Sequence, residues 1–416
     1  MKEASAAHFR SELPSDFVDD LPAADEASPP VRSKWPRYED DDIEAVAEVL
    51  RTGQVNSLVH GKQNALFARE FASYIGMEHA FCVANGTVSL ELALRALDVG
   101  PGDEVIVPAR SFFATASCVL ASGAMPVFAD VLPESQNIDP ISVERLIGAR
   151  TRAIICVHLA GWPCDMRALV GLAEKYGLFL IEDCAQAHGA EIDGRRVGSF
   201  GDISSFSFCT DKIMSTGGEG GMVLFKDRRH HDIAWSYKDH GKNPAKLSDG
   251  KGIPGEFRYI HDGPGSNYRL TEMQAAIGRR QLRRLPGWLE CRTRNVAVLT
   301  EALGDHPGLM VFQPPASVRS AWYKFYVQLR DRPDEPVEQT RARIIGKLTA
   351  SGIPVATGSC PDMSKEQAFA GLPIRRDGAL SSAAELAGRT LMFPVDHTLD
   401  ESDMTRIANS LVEAMA

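Results

Sequence analysis

The sequence predicts an α/β protein built on a mainly parallel sheet with helices on both faces, followed by a smaller α+β unit. Three observations carry this. Short apolar runs recur between residues 79 and 183: "HAFCVAN", "EVIVPA", "MPVFADV", "TRAIICVHLAG" and "LFLIED". Helical patterns separate them, "GTVSLELALRAL", "FATASCVLASGA" and "MRALVGLAEKYG". The runs are apolar nearly throughout rather than alternating, which is the signature of strands covered on both faces.

Taken in order, residues 1–34 are rich in Ala, Ser, Pro, Asp and Glu with little periodicity, and read as a mobile N-terminal tail. "YEDDDIEAVAEVLRTG" is a helix with acidic residues in its first turn and Gly53 at its end. "ALFAREFASYIG" repeats the helical spacing. The strand–helix alternation follows, and a large domain is expected over 35–275. "LTEMQAAIGRRQLRRLPGWLECRTRNVAVLTEAL" is a long helix with a break expected at Pro286-Gly287. Beyond it, the strand "KFYVQL" and the helix "EQTRARIIGKLTASG" belong to a smaller C-terminal domain, 276–416.

Composition narrows the function. With 416 residues, 44% apolar and 24% charged, the chain has the make-up of a soluble globular enzyme. A net charge of -10 and no basic block argue against nucleic acid as a partner. No apolar stretch reaches the length of a membrane span, and the N-terminus lacks the apolar core of a signal peptide. The eight cysteines form no CxxC pair; Cys82, Cys118, Cys156 and Cys184 sit in or beside strand-like runs and are expected to be buried free thiols in a reducing cytoplasm. His230, His231 and His240 have no metal-ligand spacing, and no metal is expected.

Three elements point to chemistry. "LFLIED" ends in Glu182-Asp183, and ligands of open α/β sheets sit at the carboxyl ends of strands. The side chains of neighbouring strand residues point to opposite faces, so only one of the two acids can face a cleft. Asn85-Gly86-Thr87 follows a strand and opens a helix, where free N–H groups can hold an anion or simply accept a cap. "FSFCTDKIMSTGGEGGMVLF" places Lys212 between two strand-like runs, where a lysine is costly to bury. A lysine, a carboxylate and a phosphate cradle are together what pyridoxal phosphate requires: an amine for the Schiff base, an acid for the pyridine nitrogen and N–H groups for the phosphate.

The ordered set "NGTVSLELAL", "PARSFFATASCVLASGAMPVFADV", "IEDCAQAHGA", "GSFGDISSFSFCTDK", "GGEGGMV" and "GSNYRLTEMQAAIGRRQL" resembles the DegT/DnrJ/EryC1/StrS family of sugar aminotransferases. The resemblance covers roughly residues 35–410. It implies a fold-type I enzyme, with a mainly parallel seven-stranded sheet in the large domain, and pyridoxal 5'-phosphate as cofactor. By this resemblance Lys212 is the Schiff-base lysine and Asp183, rather than Glu182, partners the pyridine nitrogen. Gln186 bonds the phenolic oxygen, Gly86, Thr87 and Ser207 contact the phosphate, and Phe112 stacks on the ring. Asn267 reaches the phosphate of a neighbouring subunit, with Arg269 beside it, so the resemblance implies a homodimer with shared sites. Asn85 stands where the family often has Ser; either side chain can cap a helix.

The implied reaction moves an amino group from an amino acid, L-glutamate, to a nucleotide-linked ketosugar, releasing 2-oxoglutarate. "GSCPDMSKEQAF" is similar to members associated with O-antigen and capsule sugars. Amination of a cyclitol and a pyridoxal-phosphate sugar dehydratase are the alternatives. Lys212 and the absence of a cysteine cluster favour amino transfer over dehydration. A non-catalytic sugar-binding protein of the same fold is a remote third reading. Tyr323, Lys324 and segment 241–265 are candidates for the substrate pocket.

Overall fold

The computed structural model describes residues 29–58, 60–249 and 257–416. Most of the expected tail, residues 1–28, lies outside the described residues. Val31 is already 3% exposed, and its N–H bonds the Gly352 carbonyl at 3.0 Å, so the packed chain begins ahead of the expected boundary at 34.

Helices α1 (Asp40–Thr52) and α2 (Gln63–Ile75) open the chain. Glu39 and Asp42 form a reciprocal capping box at the start of α1, and Gly53 ends it in the left-handed region. The alternation then follows as β1 (His79–Val83), α3 (Gly86–Ala96), β2 (Glu104–Pro108), α4 (Ala114–Ala121), β3 (Met125–Ala129), α5 (Pro140–Leu146), β4 (Thr151–Val157), α6 (Met166–Tyr176) and β5 (Phe179–Asp183). Strands β6 (Ile203–Ser207) and β7 (Gly221–Phe225) flank the Lys212 loop. Helices α7 (Arg228–Lys238), α8 (Pro244–Ser248) and α9 (Glu272–Leu303) come next. The C-terminal part contains β8 (Leu309–Met310), β9 (Phe325–Leu329), α10 (Val337–Ala350), β10 (Arg375–Arg376), α11 (Ser381–Arg389), β11 (Thr390–Phe393) and α12 (Glu401–Met415).

The main sheet runs β1-β7-β6-β5-β4-β2-β3-β10. All pairings are parallel except those of β7, which is antiparallel to both β1 and β6. Seven strands come from residues 79–225, as expected. The eighth is the two-residue β10, contributed from the C-terminal part and paired to Val127 and Phe128 of the edge strand β3. Its periodicity is too short to register in the sequence. The strands of the main sheet are buried on both faces by separate apolar clusters. Cys82, Cys118, Cys156 and Cys184 lie in this interior, as expected.

The C-terminal part has its own three-stranded sheet, β8-β9-β11, and its own apolar core with α10 and α12. The expected domain boundary at 275/276 falls inside the first turn of α9, which is continuous over 32 residues and packs on α1, α2 and α12. The expected break at Pro286-Gly287 does not occur. Proline removes one ladder hydrogen bond and crowds the preceding turn, but the apolar positions Leu282, Leu285 and Leu289 on either side remain buried, and that packing outweighs the local cost. Among the described residues no helix is long and apolar enough to cross a membrane.

Candidate active site

The carboxyl ends of β2, β4, β5 and β6 converge on a cavity of about 460 Å³. Its wall includes Gly86, Thr87, Phe112, Asp183, Gln186, Ser207 and Lys212, so seven of the eight expected site residues meet in one place.

Asp183 ends β5 and is 6% exposed. Its Oδ2 accepts from the Thr115 hydroxyl at 3.0 Å, and its Oδ1 from the Ala185 N–H at 3.2 Å. Burial raises its pKa against these two bonds and against the nearby Lys212 charge, so the carboxylate lacks full compensation. A cationic N–H donor is the group it calls for. Glu182 faces the other side, fully buried. It accepts from the backbone N–H groups of Gly198, Phe200 and Gly201, each at 2.7 Å, and pairs with His158 Nε2 at 3.1 Å. His158 Nδ1 accepts from the Cys164 N–H at 3.0 Å, which leaves Nε2 as the donor to Glu182. His158, Glu182 and Cys184 come within 4.8 Å of one another, and the polar groups of His158 and Glu182 serve these internal bonds.

The anion cradle is built by close approach. Asn85 caps α3 by accepting from the Val88 N–H at 3.0 Å, and leaves the helix start facing the cavity. A Cβ at Gly86 would lie 2.7 Å from the Ser207 Cβ, so only glycine brings the α3 N-terminus this near to β6. The N–H groups of a first turn have no helical acceptor and suit a phosphate. Gly217 and Gly218 adopt positive φ in the turn, and a Cβ at Gly221 would strike the Asn85 carbonyl at 2.5 Å. They serve chain reversal and strand contact.

Phe112 is 66% exposed on the rim, which leaves its ring open to a flat partner in the cavity. Gln186 commits its Oε1 to the Ala160 N–H at 2.8 Å, leaving its Nε2 as a donor, the polarity a phenolate oxygen needs. Lys212 is held at both ends. Its carbonyl accepts from the Trp35 indole N–H at 2.8 Å, and its Nζ lies 3.3 Å from Asp211 Oδ2. Tyr323 donates its hydroxyl to the same Asp211 oxygen, and the Lys212 Nζ sits 5.2 Å from its ring centroid. Trp35, Thr115 and Asp211 as partners of the site were not found from sequence, whereas Tyr323 was a candidate for the substrate pocket. Thr115 and Asp211 flank recognised motif residues; Trp35 carries no sequence signal. His188, left outside the expected catalytic set, is buried between Phe206 and Phe208, and burial lowers its pKa to about 3.

Asn267 is exposed and is not among the residues lining this cavity. Its Oδ1 accepts from the Arg269 N–H at 3.4 Å, and Arg269 is ion-paired with Asp239.

The residues present fit pyridoxal phosphate: a buried acid only partly compensated, a glycine-dependent cradle, an exposed ring and an amine converge on one cavity. Fold and site together define a pyridoxal-phosphate aminotransferase. The chain belongs to the DegT/DnrJ/EryC1/StrS aminotransferase family, whose model matches residues 36–412. It is 36% identical over 378 residues to a UDP-N-acetyl-3-dehydro-α-D-glucosamine 3-aminotransferase of Acidithiobacillus ferrooxidans, covering 91% of this chain and 95% of that one. It is 34% identical to an L-glutamine:2-deoxy-scyllo-inosose aminotransferase of Streptomyces kanamyceticus, over 93% and 95% of the two chains. A solved aminotransferase from Psychrobacter cryohalolentis superposes with a TM-score of 0.86 at 40% identity, covering 92% of this chain and 98% of that one.

Proposed function

We propose that this protein transfers the amino group of an amino acid, L-glutamate, to a nucleotide-linked ketosugar, for the aminosugars of surface polysaccharide. The observation that carries the reading is the convergence of Lys212 and Asp183 on one cavity with the α3 N-terminus. Pyridoxal phosphate, when bound, supplies an aldehyde that takes the amine and a ring that accepts electrons. The chain supplies the rest. Lys212 as a free amine would take the proton from the donor's Cα and carry it past the transferred nitrogen to the carbon on its far side. Asp211, 3.3 Å from Nζ, offers the resulting ammonium an acceptor. Asp183, whose carboxylate Thr115 and Ala185 aim, would hold a proton at the ring nitrogen. Phe112 and Gln186 fix the plane and orientation of the ring.

We also read the assembly as a homodimer in which Asn267 of the partner subunit completes each phosphate site. The exposure of Asn267 away from its own chain's cavity supports this. A second reading, amination of a cyclitol ketone, is supported by the 34% identity to the scyllo-inosose aminotransferase. Mass spectrometry of products from nucleotide 3-keto and 4-keto sugars and from cyclitol ketones, each with L-glutamate and L-glutamine, separates the two. Amination of the cyclitols alone would overturn the nucleotide-sugar reading.

A further inference from the structure

We propose that Lys324 is the cation that seats the anionic end of the substrate, a carboxylate of the amino donor or a phosphate of the sugar nucleotide. The inference rests on the aminotransferase reading above.

The segment carrying Lys324 is rigidly docked. Ser320 and Ala321 donate to the Gly161 carbonyl, each at 2.9 Å, and the Tyr323 N–H donates to the Ala160 carbonyl at 2.9 Å. Gly161 has φ +91, and a Cβ there would lie 2.7 Å from the Trp322 nitrogen. On the other side, Arg292 Nη1 donates to the carbonyls of Trp322 and Tyr323 at 2.9 and 3.2 Å. Tyr323 is thus pinned beside Lys212, and its ring has an ammonium near it on each account: Lys212 Nζ at 5.2 Å and Lys324 Nζ at 5.1 Å from the centroid. Lys324 and the reacting lysine therefore share one aromatic neighbour, the ring of Tyr323.

Lys324 is half-buried, and among the described residues its ammonium has no ion pair or hydrogen bond. Asp211 and Asp396 act on it only through their field, opposed by Arg292 and Lys212, and burial lowers its pKa. A lysine partly withdrawn from water and without a partner gains from an anion that arrives to pair with it. The neighbouring charges cannot serve instead. Arg292 is 1% exposed and spends its Nη1 on backbone carbonyls, while Asp183, Asp211 and Glu219 give the cavity wall an excess of negative charge. Both substrates of a two-half reaction pass through one cleft, so the same cation can meet the carboxylate in one half and the phosphate in the other.

The test uses Lys324→Gln, which removes the charge, and Lys324→Arg, which keeps it. With the loaded enzyme, Lys324→Gln should raise KM by roughly ten-fold or more, the scale of one charged hydrogen bond, with a smaller change in kcat. Lys324→Arg should restore most of the loss. A rise confined to the amino donor assigns the carboxylate, a rise confined to the ketosugar assigns the phosphate, and a rise in both assigns a shared seat. Calorimetric titration of the loaded protein with succinate and with inorganic pyrophosphate provides a readout that needs no turnover: at least one should bind more weakly in Lys324→Gln. If the KM values and both titrations match wild type while the variant carries its cofactor, the proposal is wrong. Should no ketone be aminated by the wild type, the functional reading fails separately, and the titrations still report on Lys324.

Discussion

Glu182 and Asp183 are adjacent on β5, and their carboxylates leave the sheet on opposite faces into unlike surroundings. Asp183 meets Thr115, Ala185 and the cavity. Glu182 meets three backbone N–H groups and His158, with no solvent contact. One carboxylate is placed for chemistry and its neighbour ties down the loop 198–201. Glu182→Gln puts an amide NH2 against donors that need an acceptor. It should cost about 3 kcal/mol of stability, read as a lower unfolding midpoint in denaturant. A midpoint equal to wild type would show that the loop does not depend on Glu182.

Asp183→Asn should behave the other way. The amide keeps the shape and one acceptor for Thr115, so the protein should fold and take up pyridoxal phosphate. It cannot hold the ring proton by charge. Turnover should fall by roughly two orders of magnitude or more, about 2.7 kcal/mol of transition-state stabilisation. Single-turnover measurements within a few-fold of wild type would leave Asp183 a structural residue only.

The purified protein should be yellow, and Lys212→Ala should abolish the visible band of lysine-bound cofactor. Lys212→Arg should fail as well, because a guanidinium stays protonated and is a poor nucleophile. Absorbance and borohydride trapping followed by peptide mass spectrometry check this. Label on any other lysine, with Lys212→Ala still yellow, would remove the assignment.

Stability should depend on acid through His397. Its ring stacks on Trp288, with centroids 4.3 Å apart and planes at 10°, and meets Trp35 edge-on at 4.9 Å. Burial, helped by Arg292, lowers its pKa to about 4. The unfolded chain titrates near the ordinary histidine value of 6.5, so between these two values the unfolded state binds the extra proton. Stability from this group is therefore full above about pH 6.5 and declines as pH falls towards 4. His188, lowered to about 3, extends the same slope. His397→Phe keeps a flat ring and should flatten the slope between pH 6.5 and 4 by about one proton. Equal slopes for the two proteins would exclude His397 as the titrating group.

The subunit boundary is testable by complementation. Asn267→Asp would set a carboxylate beside a phosphate dianion, a like-charge contact costing on the order of several kcal/mol at intermediate dielectric. Lys212→Ala removes the amine. Each variant alone should be nearly inactive. A heterodimer of the two has one site with both defects and one with neither, so about half of the wild-type rate should return, by counting intact sites in a closed two-fold assembly. Differently tagged, co-expressed chains allow its isolation. A dead heterodimer of well-folded parents would assign Asn267 to its own chain or to no phosphate at all.

Much of the site was legible in order along the chain. Strand and helix periods located β1 to β5 and the helices α3, α4 and α6, because side-chain direction repeats locally; the short α5 was not read. The alternation along β5 showed that only one acid of the Glu182-Asp183 pair could face the cleft; which one had to come from resemblance, and the tertiary contacts of each then explained it. What folding alone decided lies across long separations. Trp35 reaches the Lys212 carbonyl over 177 residues, and Tyr323 reaches Asp211 over 112. The two-residue β10 joins a sheet formed some 250 residues earlier in the chain, a pairing it takes from the neighbouring edge strand rather than from its own pattern. Pro286 stays helical because Leu282, Leu285 and Leu289 remain packed. Local sequence sets the direction and period of each element, while the partners of its side chains depend on which surfaces the packed core brings together.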